Sequence, residues 1–331
     1  MIFFPEACDY ICDNKKDIIN FAEPIIGGNT MGIYRKLAAE NNVWLSMGGV
    51  HEKVNPTKMY NTHVIINNKG DIVQIYRKLH LFDVEIPEKG VRLKESDFSH
   101  AGGHIVAPVE TPIGRVGMSI CYDMRFPELS TALSILRAEV LTYPSAFTHT
   151  TGEAHWHVLL RSRAIENQCY VIAAAQVGQH NAKRRSYGHA LCVDPWGEVL
   201  ADCGETSPCY KVAEISEKKL DNVRKNMPVF QHRSSDSRHN VFGHVRIPES
   251  CVFYKSKLSY AFVNLRFVNN ASDSVDSITT RSPSQNQWQH FHRSPKALHV
   301  NCVMSSFYDY CRFRIFSFIC EIAFVKQKFK A

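Results

Sequence analysis

Short apolar runs alternate with helix-like segments through most of the first 226 residues, and this alternation constrains the fold more than any other feature. The strand-like runs are 62–67, 72–76, 115–120, 140–143 and 169–175. Helical spacing covers residues 127–138 and 152–167, which lie between or after those runs. The turn Asn68-Lys69-Gly70 joins the first two strands and is a hairpin signal. The pattern predicts an α/β chain with a large, partly antiparallel sheet system.

Composition and charge suit a soluble protein and argue against nucleic-acid binding. The chain has 331 residues, of which 44% are hydrophobic and 21% charged, and this mixture suits a soluble protein with a real core. The net charge of +7 belongs to the tail, since residues 1–241 carry 27 basic and 27 acidic side chains. The tail has no clustered Lys/Arg run, so no nucleic-acid partner is expected.

Cysteine usage and hydropathy address the compartment. The eleven cysteines are scattered without CxxC pairs, so free thiols are expected and no zinc set. The chain opens Met1-Ile-Phe-Phe and continues at once with Pro5, which does not resemble a leader. The late apolar stretch 315–325 is too short to span a bilayer. We therefore predict a cytoplasmic protein that does not enter a membrane.

Three segments carry the groups of a covalent hydrolase. Cys121 ends an apolar run just before a predicted helix, and backbone N–H groups at such a turn favour a thiolate. Glu6 follows Phe3-Phe-Pro, and Lys78 lies in Tyr-Arg-Lys-Leu-His-Leu-Phe. A thiol, a carboxylate and an amine supply a nucleophile, a base and a cation for an oxyanion. Each alone is more often a buried cysteine, a solvated glutamate or an ordinary strand-end lysine.

These segments resemble motifs of the nitrilase (carbon–nitrogen hydrolase) superfamily, and they occur along the chain in the same order as in that family. The matching motifs are Phe-Pro-Glu6, Tyr-Arg-Lys78-Leu-His-Leu-Phe-Asp, Ile-Cys121-Tyr-Asp-Met-Arg-Phe-Pro-Glu, Tyr187-Gly-His and Val193-Asp-Pro-Trp-Gly. The resemblance implies a four-layer α-β-β-α sandwich of the nitrilase type and a thioester mechanism without metal or cofactor. It makes Cys121 the nucleophile, Glu6 the general base and Lys78 the oxyanion stabiliser, aided by the backbone N–H of Tyr122. Glu95, in Leu-Lys-Glu-Ser, fits a second carboxylate that orients the site.

The resemblance also implies a substrate and an assembly. The most similar branch of the family acts on deaminated glutathione, a small linear amide. Related fused proteins are tetramers, so a homo-oligomer is expected. Three alternatives stay open: a nitrile, a carbamoyl compound or another amide as substrate. A fourth is a truncated, catalytically silent product.

Two departures from the family pattern give further expectations. The family's first strand and helix normally precede the Phe-Pro-Glu motif, which here begins at Phe4, with only two residues between it and Met1. We therefore expect that strand and helix to be missing and a neighbouring strand edge to be exposed. After a nitrilase domain at 1–241, residues 242–268 resemble the start of a histidine-triad domain, and 269–331 an irregular tail. Because no His-x-His-x-His occurs, no dinucleoside polyphosphate hydrolysis is expected.

Overall fold

The structure is a computed structural model that describes residues 1–86, 88, 91–182, 184–206, 209–232 and 321–327. Its strands are β1 (Ile2–Phe3), β2 (Leu45–Lys53), β3 (Met59–Ile66), β4 (Ile72–Arg77), β5 (Asp83–Ile86), β6 (Val91–Lys94), β7 (Val109–Thr111), β8 (Gly114–Gly117), β9 (Val140–Thr142), β10 (Tyr170–Ala173), β11 (Val177–Gln179), β12 (Arg185–Tyr187), β13 (Leu191–Val193), β14 (Val199–Asp202), β15 (Cys209–Ile215) and β16 (Glu321–Gln327). Its α-helices are α1 (Lys15–Phe21), α2 (Asn29–Glu40), α3 (Pro127–Ile135), α4 (His149–Asn167), α5 (Glu217–Asn226) and α6 (Val229–His232).

Most strands belong to two six-stranded sheets. The first has the order β15-β16-β1-β2-β3-β4 and the second β14-β13-β10-β9-β8-β7. In the second sheet β8, β9 and β10 are parallel, and the flanking pairs are antiparallel. The predicted hairpin joins β3 to β4. Its Gly70 has φ +81°, and a Cβ there would lie 2.6 Å from the carbonyl oxygen of Arg35, so only glycine fits without strain.

Side chains on the two faces of the first sheet pack into different parts of the core, because successive side chains of a strand point to opposite faces. Phe4 meets Tyr34 of α2 edge to face, with 5.7 Å between ring centroids. Phe3 points the other way and packs into a core shared with the second sheet. That core continues to Leu133 of α3 and Trp156 of α4. Helices therefore cover the outer face of each sheet, which is the predicted four-layer sandwich.

The tail contributes one strand to the first sheet. β16 lies between β1 and β15, antiparallel to the former and parallel to the latter. β1 is thus paired on both sides, and the expectation of an exposed edge beside it is wrong. The expectation of an irregular tail is also wrong for residues 321–327, because backbone groups of two neighbouring strands are available to pair them. The histidine-triad-like segment 242–268 lies outside the described residues and stays a prediction.

Among the helices of the described ranges, none combines the length and the apolar character needed to cross a membrane.

A buried histidine connects the two sheets. His63 of β3 is fully buried, and its ring nitrogens lie 2.7 Å from the Ser46 hydroxyl and 3.2 Å from the Ser119 carbonyl oxygen. The carbonyl can only accept, so Nδ1 carries the proton and Nε2 accepts from Ser46. Burial lowers the pKa of His63 to about 4, and the bond to Ser119 offsets only part of this effect.

This depressed pKa predicts an acid-sensitive fold. Between pH 4 and the ordinary histidine value of about 6.5, the unfolded chain binds a proton that the folded chain excludes, so stability falls as pH falls. We expect His63 alone to cost about 2 kcal/mol of unfolding free energy between pH 7 and pH 5. Denaturant unfolding of the wild type and His63→Gln at both pH values tests this. Equal pH dependence in the two proteins would contradict it.

Candidate active site

Cys121 occupies a tight elbow between the second sheet and α3. β8 ends at Gly117, earlier than predicted, and a 3₁₀ turn over Cys121–Arg125 precedes α3. Cys121 has φ +47°, a left-handed conformation that is strained for a residue with a side chain. Its N–H donates to the carbonyl oxygen of Pro144 at 2.9 Å, and the residue is 8% exposed. The elbow thus holds the sulfur at the end of the sheet, in the predicted place.

Asp123 holds this elbow in shape, a role that sequence reasoning did not assign to it although it lies in the motif around Cys121. It is fully buried and accepts hydrogen bonds from the Tyr76 hydroxyl (2.7 Å) and the Ile120 N–H (2.9 Å). It also accepts from the backbone N–H of His80 at 3.0 Å, with the His80 ring nitrogen at 2.8 Å. One carboxylate therefore fixes the Cys121 turn to the end of β4, where Lys78 lies.

Glu6 lies between the two sheets with both carboxylate oxygens bonded. It is 6% exposed, and it forms an isolated bridge with Gly49 after β1 ends. One oxygen accepts from the Lys78 ammonium at 2.9 Å and from the Asn61 amide at 2.8 Å. The other accepts from the backbone N–H of Ala146 at 2.8 Å. Sequence reasoning missed both groups: Asn61 belongs to no recognised motif, and Ala146 acts through its backbone N–H and not through its side chain.

Lys78 is 2% exposed and is held by two carboxylates. Its ammonium donates to Glu6 at 2.9 Å and to Glu95 at 2.8 Å. Glu95 also accepts from the backbone N–H of Phe82 (2.8 Å) and from the Asn61 amide (3.1 Å). Three of the side chains predicted for the site, Glu6, Lys78 and Glu95, are therefore together in space, and the charges of Glu6 and Lys78 act on the Cys121 thiol.

The charged groups in this cluster stabilise each other's ionised forms. Burial alone would raise the pKa of Glu6, but the Lys78 charge and hydrogen bonds from Cys121, Lys78 and Ala146 outweigh it and lower that pKa to about 2. Burial alone would lower the pKa of Lys78, but Glu6 and Glu95 raise it well above its usual value. Both groups are accordingly ionised at neutral pH.

The thiol does not behave as the turn geometry suggested. Burial raises the pKa of Cys121, and the neighbouring Glu6 charge raises it further, while Lys78 offsets only part of the change. The expectation that the turn favours a resting thiolate is therefore wrong. Desolvation of a buried sulfur beside a carboxylate exceeds the effect of the backbone dipoles. The proton stays on sulfur at rest, beside the Glu6 carboxylate.

Aromatic rings and one cation surround the elbow. The Tyr122 ring lies 5.0 Å from Phe82 and 5.5 Å from Phe126, both edge to face. The Arg125 guanidinium lies 5.2 Å from the ring centroid of Phe147 and 5.9 Å from that of Tyr122. Its nitrogens are 3.3 Å from the His155 ring nitrogen, and among the described residues no carboxylate pairs with it.

Fold and cluster together define an α/β protein of two packed sheets, with a cysteine, a glutamate and a lysine buried between them. A family model for carbon–nitrogen hydrolases matches residues 1–225. The chain therefore belongs to the carbon–nitrogen hydrolase family.

Individual relatives agree with this assignment. The nitrilase and fragile histidine triad fusion protein NitFhit of Drosophila melanogaster is 45% identical over 282 residues, which is 81% of this chain and 60% of that protein. The deaminated glutathione amidase of Mus musculus is 52% identical over 240 residues, covering 71% and 73% of the two chains. The crystal structure of C. elegans NitFhit aligns with a TM-score of 0.65 at 51% identity, covering 71% of this chain and 57% of that one. The chain spans less than two thirds of the length of these fusion proteins.

Proposed function

We propose that this protein is an amidase that hydrolyses a small linear amide through a thioester on Cys121. The observation that carries the proposal is the buried cluster in which the Glu6 carboxylate lies 2.9 Å from the Lys78 ammonium, with the buried Cys121 thiol beside these charges. A nucleophile, a base and a cation held next to one another are what acyl transfer requires.

Acylation begins with attack of the Cys121 sulfur on the amide carbon. The thiol proton moves to Glu6, and the carbonyl oxygen becomes an oxyanion stabilised by the Lys78 ammonium and the backbone N–H of Tyr122. The C–N bond then breaks, and Glu6 returns the proton to the leaving amine. Next, Glu6 takes a proton from water, the hydroxide attacks the thioester, and the acid leaves as the thiol is restored.

The lowered pKa of Glu6 sets the order of these reaction steps. While Lys78 faces Glu6, the carboxylate is a weak base and the proton remains on Cys121. A forming oxyanion draws on the same ammonium charge, so the pKa of Glu6 rises as the tetrahedral intermediate forms. Proton transfer is thereby coupled to the presence of substrate.

We propose that Glu95 acts as a positioning residue. It holds Lys78 from the side opposite Glu6 and is itself fixed by the Phe82 N–H. Removing it would leave the ammonium free to turn further toward Glu6, away from the oxyanion position.

Deaminated glutathione is the substrate that we propose. Glutathione contains only secondary amides, so the leaving group is the amine of a cysteinyl dipeptide rather than ammonia. In deaminated glutathione an oxo group replaces the amino group of glutathione. The adjacent carboxylate therefore has no neighbouring positive charge. Arg125, four residues from the nucleophile and without a carboxylate partner in the described part of the chain, can pair with it. The similarity to deaminated glutathione amidases supports the same substrate.

A substrate panel tests this proposal. We expect kcat/KM for deaminated glutathione to exceed the values for intact glutathione, a simple nitrile and a carbamoyl compound. Arg125→Gln should raise KM for the oxo acid about 10- to 100-fold, because a hydrogen bond between charged groups contributes about 1.5–3 kcal/mol. Arg161→Gln serves as the control, because Arg161 lies on α4 and donates to the Gly197 carbonyl oxygen instead of lining the elbow. If Arg125→Gln impaired hydrolysis of an uncharged amide equally, Arg125 would act by stabilising the elbow and not by binding the substrate carboxylate.

We propose that residues 242–268 derive from the start of a histidine-triad domain. The longer match to the fusion protein than to the amidase, 282 against 240 residues, supports this origin. Since the printed sequence lacks His-x-His-x-His, we propose no dinucleoside polyphosphate hydrolysis by it.

We also propose that the protein is a homo-oligomer. Val158 and Ile165, two turns apart on α4, are 66% and 49% exposed, and Trp196 nearby is 59% exposed. Water contact of such side chains is unfavourable, and a second copy could cover them. Light scattering of the wild type is expected to give a mass above that of one chain, and Val158→Glu with Ile165→Glu to lower it. A monomeric wild type would contradict the proposal.

A further inference from the structure

Two histidines and an aspartate converge at a place separate from Cys121. His157 comes from α4, His189 follows β12, and Asp202 ends β14. The His157 Nε2 lies 3.0 Å from Asp202 Oδ2, and the His189 Nδ1 lies 2.9 Å from Oδ1. One ligand atom from each of the three residues lies within 4.8 Å of the others.

We propose that this cluster binds one divalent transition-metal ion of the Zn²⁺ class. Imidazole nitrogen and carboxylate oxygen are ligands that Zn²⁺ prefers, and three protein ligands leave one position for water. Tetrahedral coordination at about 2.0–2.1 Å places ligand atoms about 3.3 Å apart. Both histidine nitrogens lie 3.0 Å from the same oxygen, Asp202 Oδ2, and these two distances need to open by only a few tenths of an ångström.

The backbone holds His189 in place before any ion arrives. Its φ is +59°, its N–H donates to the Gly204 carbonyl oxygen at 2.7 Å, and its carbonyl accepts from the Trp156 indole at 2.8 Å. The ring stacks on Tyr187 with 4.5 Å between centroids. A ligand fixed in this way loses little conformational entropy on binding.

An outer carboxylate faces the histidine from behind. Glu205 Oε1 lies 4.0 Å from His189 Nε2, the nitrogen that would point away from the ion. Metal-bound histidines commonly donate their second N–H to such a carboxylate, which fixes the tautomer. Glu205 is itself held by Arg185 at 3.3 Å.

The cluster is open to ions. The side chains of His157, His189 and Asp202 are 33%, 19% and 30% exposed. The backbone N–H of Gly204 donates to Asp202 Oδ1 at 2.8 Å and orients the carboxylate. His155, two residues before His157, instead contacts Arg125, which makes it a matched control on the same helix.

Cobalt substitution tests the proposal directly. Tag-free, chelator-stripped full-length Cys121→Ala protein, which lacks the active-site thiol, is titrated with Co²⁺ and then with Zn²⁺. We expect one equivalent of Co²⁺ with the strong visible bands of four-coordinate nitrogen and oxygen ligation and no thiolate charge-transfer band. Zn²⁺ should displace it and raise the melting temperature.

Variants separate an ion site from a hydrogen-bond network. His157→Gln and Asp202→Asn should weaken binding at least about 100-fold, Glu205→Gln about 10-fold, and His155→Gln not at all. Melting of each variant without metal verifies folding. Failure of the parent protein to bind Co²⁺ tightly, a weak six-coordinate spectrum, or unchanged binding by His157→Gln would overturn the proposal.

Discussion

Replacing Cys121 with alanine is expected to abolish amide hydrolysis, with kcat falling at least about 10⁴-fold. The reason is that alanine removes the atom that forms the thioester, while Glu6 and Lys78 keep their mutual contact at 2.9 Å. Initial rates of deaminated glutathione hydrolysis in the two proteins give the measurement. Folding of the variant should be intact, because the elbow depends on Asp123 and on backbone bonds.

Cys203→Ala is the matched control for this experiment. Cys203 is as buried as Cys121, at 8% exposure, but it follows β14 far along the chain from the elbow. Its variant should keep wild-type activity. Rapidly quenched wild-type protein should also carry an acyl group on the Cys121 peptide. Undiminished hydrolysis by Cys121→Ala would reject the thioester mechanism, and an inactive wild type would favour the catalytically silent alternative.

The sequence was sufficient to predict the members of this cluster but not how their charges interact. Cys121, Glu6 and Lys78 belong to motifs, and each follows a strand, so their meeting at a sheet end could be anticipated. The thiolate expectation failed because it used one local effect, the turn. Burial and a carboxylate from a distant segment dominate instead.

Supporting groups were missed for a different reason. Ala146 acts through its backbone N–H, which any residue except proline could supply. Asn61 and Asp123 are single polar residues whose partners come from other strands. No spacing rule could connect them before the sheets were assembled.

The residues of the proposed metal cluster also come together only in the folded structure. His155 and His157 are two apart on a helix and contact different neighbours, as expected from helix geometry. The ligands that join His157 lie 32 and 45 positions later, on another layer of the sandwich. Helix geometry separates His155 from His157, but no spacing in the sequence connects His157 with His189 and Asp202.

Replacing Lys78 with methionine is expected to lower both activity and stability. Methionine keeps much of the side-chain volume but leaves Glu6 and Glu95 buried and facing each other without a cation. Breaking a buried ion pair in this way costs about 3–5 kcal/mol of unfolding free energy. Loss of the oxyanion partner should also lower kcat about 10²–10³-fold or more. Denaturant unfolding at pH 7 and initial rates measure the two effects.

The double variant Glu6→Gln with Lys78→Met separates these effects. Glutamine carries no charge, and its amide oxygen can still accept from the Asn61 amide or the Ala146 N–H. Glu95 keeps its bonds from Asn61 and Phe82. The double variant should therefore regain at least half of the stability that Lys78→Met loses, while hydrolysis does not recover, because both base and cation are gone. Additive destabilisation would show that Glu6 and Lys78 are not energetically coupled. Recovered hydrolysis would remove both residues from the mechanism.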